Sequence, residues 1–151
     1  MQIISLTRKD IESILKLESE SAPEKPDYIK YSPQELQDLF DNLEKCRAFG
    51  IYSDNELIGW SGYKWIRGNL YEITPVVVGK NYRGKGLGKA LLEYAVKEVL
   101  RNHKDAEIFL TVYPQNLDAL NLYLKNNFVV YDFKKDYYGQ GADRLFLKHS
   151  K

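Results

Sequence analysis

Val76-Val77-Val78-Gly79-Lys80-Asn81-Tyr82-Arg83-Gly84-Lys85-Gly86-Leu87-Gly88-Lys89 joins a run of β-branched residues to a glycine-rich loop and then to an apolar helix face. Glycine lets backbone N–H groups turn inward and lets a ligand approach with no Cβ in the way. The helix that starts at once adds free N–H groups and a favourable dipole, so the segment reads as an anion site. Lys80, Arg83, Lys85 and Lys89 add positive charge around it.

Spacing narrows the kind of anion. Gly79, Gly84 and Lys85 meet G-x-x-x-x-G-K, but Gly86 stands where a Ser or Thr must hold Mg²⁺. That argues against a nucleoside triphosphatase. Glycines at 84, 86 and 88 give G-x-G-x-G, not the dinucleotide fingerprint G-x-G-x-x-G, and no βαβ unit opens the chain. Arg83, Gly86 and Gly88 do satisfy R-x-x-G-x-G. A ligand-free turn is a poor explanation, because glycines crowded at a helix start weaken it by roughly 0.5–1 kcal/mol each.

Outward from the loop, Leu87 to Asn102 predicts a long helix, with Leu87, Ala90, Leu91, Tyr94 and Ala95 facing a sheet. Upstream, strands are expected at Ala48–Ser53, Glu56–Ile66 and Leu70–Val78. Asp54-Asn55 and Gly68-Asn69 supply the turns of an antiparallel meander. Pro75 inside the last of these suits a bulge or a splayed edge. Gln2–Leu6 reads as the first strand, followed by a helix carrying Ile11, Ile14 and Leu15. Glu18–Tyr31, with Pro23 and Pro26, reads as a loop. Ser32-Pro33-Gln34-Glu35 opens a helix with a Leu36, Leu39, Phe40, Leu43 stripe. Downstream come a strand at Glu107–Tyr113, a helix at Asn116–Asn126, and a closing hairpin of Phe128–Lys134 with Arg144–Lys148. The order implies an α/β fold built on a mixed sheet of about seven strands with four helices on both faces. A single domain over residues 1–151 is expected.

A second constellation is Asn116-x-x-Ala119-x-x-Leu122-Tyr123-x-x-x-Asn127-Phe128. Asn116 follows a strand and caps a helix. Tyr123 lies two turns along the same face, so one ligand can meet both. A phenol near pKa 10 is a plausible proton donor to such a ligand.

Together these segments resemble the glycine loop and the N-x-x-A-x-x-L-Y-x-x-x-G-F signature of the GNAT superfamily of acyl-CoA-dependent N-acetyltransferases. Asn127 replaces the family's glycine, and it too tolerates a left-handed C-cap. The resemblance implies a mostly antiparallel sheet with a central splayed parallel pair. It also implies acetyl-CoA as co-substrate, without a metal. Val76, Val77 and Val78 would pair with the pantetheine arm. Arg83, Gly84, Lys85, Gly86, Leu87, Gly88 and Lys89 would cradle the pyrophosphate, with Asn116 and Tyr123 also on the cofactor. Tyr123 would protonate the leaving thiolate. Glu72 would take the amine proton, directly or through water, with ordered water alone as the alternative. Asp136-Tyr137-Tyr138-Gly139-Gln140-Gly141-Ala142-Asp143 partly resembles a substrate-peptide region of the N-terminal protein acetyltransferases. It makes Tyr137 and Tyr138 candidates for holding a peptide; Trp60, Tyr63, Tyr28 and Tyr31 are further candidates for substrate contact.

The acceptor stays open between a protein amine (N-terminus or lysine) and a polyamine or amino sugar. A pocket gathering Asp27, Glu56 and Glu72 would favour the polyamine. A non-catalytic CoA-binding module is the remaining alternative. A net charge of +1 gives no pull towards nucleic acid or membrane. The lone Cys46 suits a reducing, cytoplasmic setting, and no signal peptide is read at the N-terminus. A homodimer is possible. His103 and His149 lack the spacing of metal ligands and are expected at the surface.

Overall fold

Hydrophobic alternation in the strands sets two packed faces, and these divide the helices between them. The computed structural model describes residues 1–150. Strands β1 (Ile3–Ser5), β2 (Cys46–Ser53), β3 (Glu56–Arg67) and β4 (Leu70–Ile73) run antiparallel in spatial sequence. Strands β6 (Glu107–Val112), β8 (Arg144–His149) and β7 (Phe128–Lys134) continue the sheet in that order. The parallel pair is β4 with β6, as expected of a mixed sheet; every other pairing is antiparallel.

Phe49, Tyr63, Tyr71 and Ile73 point to one face. There they pack on Leu92, Ala95, Val96 and Val99 of helix α3 (Leu87–Asn102) and on Tyr123 of helix α4 (Leu117–Lys125). Ala48, Leu57, Trp60 and Val77 point to the other face. They meet Ile14 and Leu17 of α1 (Ile11–Ser21) and Leu36, Leu39 and Phe40 of α2 (Pro33–Phe40). The α2 start is the expected capping box: Glu35 N–H donates to Ser32 Oγ at 3.1 Å, and Ser32 N–H to the Glu35 carboxylate at 3.0 Å. Leu43 lies beyond the helix and is exposed, so the apolar stripe ends at Phe40.

Two expectations change. The segment read as a loop from Glu18 begins only at Ala22, because α1 runs on to Ser21 and buries Leu17, Glu18 and Ser21. The strand expected over Leu70–Val78 is cut in two, with β5 reduced to Val77–Val78. Register gives the reason. Ile73 opposes Tyr63 and Val77 opposes Trp60. Four steps on one strand therefore face three on its neighbour, which is a one-residue bulge at Pro75 and Val76. Proline has no N–H to give to a ladder, so the interruption falls where the sequence can bear it. Ser61 Oγ donates to the Thr74 carbonyl at 3.1 Å and ties the bulge to β3.

Candidate active site

The bulge opens the sheet. Parallel pairing of β4 with β6 ends at Glu72 and Phe109. Past that point β5 follows β3 alone, while β6 continues beside β8. A cleft of about 490 Å³ occupies this split. Residues from both faces of the sheet line it: Val76, Val77, Val78, Gly84, Gly86, Leu87, Gly88, Asn116 and Tyr123 at one end, and Glu72, Lys64, Thr111, Tyr138 and Arg144 at the other. Tyr28 and Tyr31, from the chain between α1 and α2, complete the wall.

Gly79 N–H donates to the Ile58 carbonyl at 2.8 Å. In an antiparallel pair this directs the backbone groups of Gly79 and Val77 towards β3, and those of Val76 and Val78 into the split. The Val78 carbonyl accepts a bond from Arg83 Nε at 3.0 Å, and the second arm of that guanidinium reaches the Ser21 carbonyl. Arg83 thus pins the loop to β5 and to the end of α1. Gly84 and Gly86 have φ of +76° and +82°, a left-handed conformation that a side chain would strain. Beyond the flanking residues, no protein atom lies within 4 Å of where their Cβ atoms would stand. Because α3 starts at Leu87, its first N–H groups have no intrahelical partner and face this space. A diphosphate fits such a cradle of backbone donors. Lys85 and Lys89 stand outside the cleft lining; the Lys89 ammonium lies 3.8 Å from Glu93, and the Lys85 ammonium lies over the Tyr82 ring.

Asn116 is the N-cap of α4, its side chain accepting from Ala119 N–H. Asn127 has φ of +69°, the left-handed conformation expected where the resemblance asks for glycine. Tyr123 is buried against Phe128, and its phenol oxygen meets the Val76 backbone N–H. Burial pushes its pKa up to about 12, partly offset by that N–H. Glu72 is held above the usual carboxylate range by burial, which outweighs the Lys64 ammonium at 3.5 Å. A carboxylate raised in this way is suited to accept a proton near neutral pH.

Of the other candidates, Tyr138 lines the cleft, and burial followed by the charge of Glu72 raises it to about 12. Tyr137 is half-exposed and packs edge-on against Tyr138 and Phe146, outside the lining. Trp60 and Tyr63 are fully buried, on opposite faces, and neither lines the cleft. Asp27 and Glu72 are both in the lining, whereas Glu56 lies elsewhere. His103 is not a free surface group: its ring stacks on Tyr71 with centroids 4.5 Å apart. Among the described residues no three His, Cys, Asp or Glu side chains gather as a metal site. No described helix is long and apolar enough to cross a membrane.

Sequence reasoning missed three participants. Glu18 is 1% exposed and accepts from Tyr28 Oη at 2.5 Å, Trp60 Nε1 at 3.1 Å and Tyr31 N–H at 3.3 Å. It fixes the tyrosine-bearing segment over the cleft. Lys64 and Arg144 reach the site only through strand register, which no local spacing reveals.

Comparison with known proteins finds relatives in sequence and in fold. An N-alpha-acetyltransferase of Saccharolobus solfataricus is 27% identical over 154 positions, covering 91% of this chain and 86% of its own. A probable spermine N(1)-acetyltransferase of Bacillus subtilis subsp. natto is 25% identical, over 58% of this chain and 64% of its own. The PaiA N-acetyltransferase of Thermoplasma acidophilum, crystallised with coenzyme A, superposes with a TM-score of 0.77 at 26% identity, covering 99% of this chain and 100% of that one. The ribosomal-protein-alanine N-acetyltransferase of Brucella melitensis shares the fold, with a TM-score of 0.81 over all of both chains at 18% identity. Residues 11–128 match the model of the acetyltransferase (GNAT) family, and with the split sheet and glycine cradle in place the chain belongs to that family of enzymes.

Proposed function

We propose that this protein transfers an acetyl group from acetyl-CoA to a primary amine, and that the amine is the N-terminus of a polypeptide. The observation that carries the reading is the bulge at Pro75. It turns the Val76 and Val78 backbone groups into a cleft that also receives the bare glycine cradle and the Tyr123 hydroxyl. Acetyl-CoA supplies an activated acyl thioester. The N–H groups of Gly84 to Gly88 hold its diphosphate, and the outward backbone of β5 aligns its arm. The Val76 N–H is engaged by Tyr123, which leaves the Val78 N–H as the strand donor able to polarise a carbonyl. Glu72, directly or through a water, accepts the proton that the attacking amine sheds. Tyr123 donates its hydroxyl to the departing sulfur. The new C–N bond replaces the C–S bond; the amine's proton goes to Glu72 or water, and the sulfur leaves as a thiolate hydrogen-bonded by Tyr123.

The polypeptide acceptor draws on the Saccharolobus relative and on Tyr31 and Tyr138, two half-buried tyrosines that share the cleft with Glu72. A polyamine draws on Asp27, Glu35 and Glu72 in the lining, but Lys30, Lys64 and Arg144 share it and offset their charge. A panel of free-amine peptides, internal-lysine peptides and spermine, read by thiol release from acetyl-CoA, tests the reading. Release with N-terminal amines above the others is the expected result. Stabilisation by acetyl-CoA with no release for any amine would make the protein a binding module.

A further inference from the structure

Arg144 is a buried cation with no step in the mechanism above. It is 3% exposed and lines the acceptor end of the cleft. Its one hydrogen bond runs from Nη1 to the carbonyl of its neighbour Asp143 at 2.7 Å. Its guanidinium lies 5.1 Å from the centre of the Tyr138 ring and 5.9 Å from that of Tyr113. Among the described residues no carboxylate comes within 4.0 Å of it, although Asp27 stands on the same cleft wall. Buried arginines are ordinarily paired, because an isolated buried cation is costly. Stacking on two tyrosines holds the fork in place without using its donors.

Register fixes where this fork stands relative to the chemistry. Glu72 is level with Phe109, and Phe109 with Lys148. Arg144 is therefore two strands across and four residues along from Glu72, on the same face, roughly 16 Å between Cα atoms from strand spacing and rise. Two long side chains close part of that distance. The acceptor, with a hydrogen bond at each end, spans what remains between its amine and its carboxylate.

We infer that Arg144 selects an acceptor carrying a carboxylate several bonds from its reactive amine, which in a polypeptide is an acidic side chain at the second residue. A planar fork matches a carboxylate in a two-bond pairing that an amide cannot reproduce. The inference rests on the proposed N-acetyltransfer and adds the acceptor's chemistry to it.

The test uses the wild-type protein and the peptides Ser-Glu and Ser-Gln, identical beyond position two, with an ω-amino acid as the small-molecule arm. Thiol release should show kcat/KM at least tenfold higher for Ser-Glu than for Ser-Gln, mostly through KM. In R144Q that preference should vanish through loss of the Ser-Glu rate alone, and R144K should retain part of it. Equal rates on the two peptides in wild type, or an equal fall for both in R144Q, overturns the inference. High turnover of the ω-amino acid with none of either peptide keeps the carboxylate but replaces the polypeptide as its source. Calorimetric binding of the N-acetylated Ser-Glu and Ser-Gln peptides to wild type and R144Q needs no turnover. Tighter binding of the acidic one by wild type, lost in R144Q, upholds the assignment even if no amine releases thiol, a result that would sink the acetyltransfer reading alone.

Discussion

Removing one oxygen from Tyr123 separates its chemical role from its packing. Tyr123→Phe keeps the ring against Phe128, with centroids 6.2 Å apart, and deletes the hydroxyl that meets the Val76 N–H. Losing one buried hydrogen bond costs about 0.5–1.5 kcal/mol of stability, so the fold survives. The rate effect can be bounded. A phenol at about 12 facing a thiolate near 8.5 is uphill for full proton transfer by about 3.5 units, or ~5 kcal/mol. In the proposed mechanism Tyr123 therefore acts chiefly by donating a hydrogen bond as charge grows on sulfur. That places its contribution at the low end of general acid catalysis, about 10²-fold in kcat.

The assay is steady-state thiol release at saturating acetyl-CoA and acceptor from pH 6 to 10, with thermal unfolding of both proteins as control. The expected result is a kcat reduced about 10²-fold at every pH, with melting temperatures within a few degrees. A hydroxyl held near 12 stays protonated throughout that window, so Tyr123 contributes no alkaline limb. If Tyr123→Phe retains wild-type kcat, or abolishes an alkaline limb centred near pH 9, the reasoning about this group is refuted.

Glu72→Gln should lower kcat/KM by about 10²-fold. In wild type, kcat/KM should decline as pH falls through a pKa above the usual carboxylate range, because burial raises Glu72; the variant should lack that limb, and its persistence assigns the base elsewhere. Gly88→Ala should hold or raise the melting temperature, since its Cβ would make only ordinary contacts at 3.7 Å with Leu122 and Val76 in the first turn of α3, while the KM for acetyl-CoA rises; an unchanged KM would remove Gly88 from the cradle. Gly86→Ala should instead lose about 1–2 kcal/mol through its φ of +82°, read by denaturant unfolding. Glu18→Ala strands two buried side-chain donors and should cost about 2–4 kcal/mol. Its raised pKa means that the wild type's stability from this group is fully present below pH ~4.5 and is lost as pH rises through the folded value. Glu18→Gln, which cannot ionise, should flatten that decline in pH-dependent unfolding.

What could be read from the chain divides along a physical line. The glycine cradle, the Asn116 cap, Tyr123 and the α3 boundaries are set by contacts within a few turns of one segment, so residue type and spacing carry them. Pro75 announced an irregularity for the same reason: a missing N–H is a local fact. Lys64 and Arg144 owe their places to which strand lies beside which, and to a register counted across three strands. Pro23, Pro26 and the missing apolar period make the segment from Glu18 read as a loop, yet tertiary burial extends the helix around Glu18. The division has a consequence for the enzyme. On the proposed reading, groups for the co-substrate lie mostly in local motifs, whereas Lys64 and Arg144 at the acceptor end arrive by long-range pairing. A change such as Arg144→Gln can therefore alter which amine is accepted without touching a single motif residue, and the Ser-Glu against Ser-Gln comparison measures that separation directly.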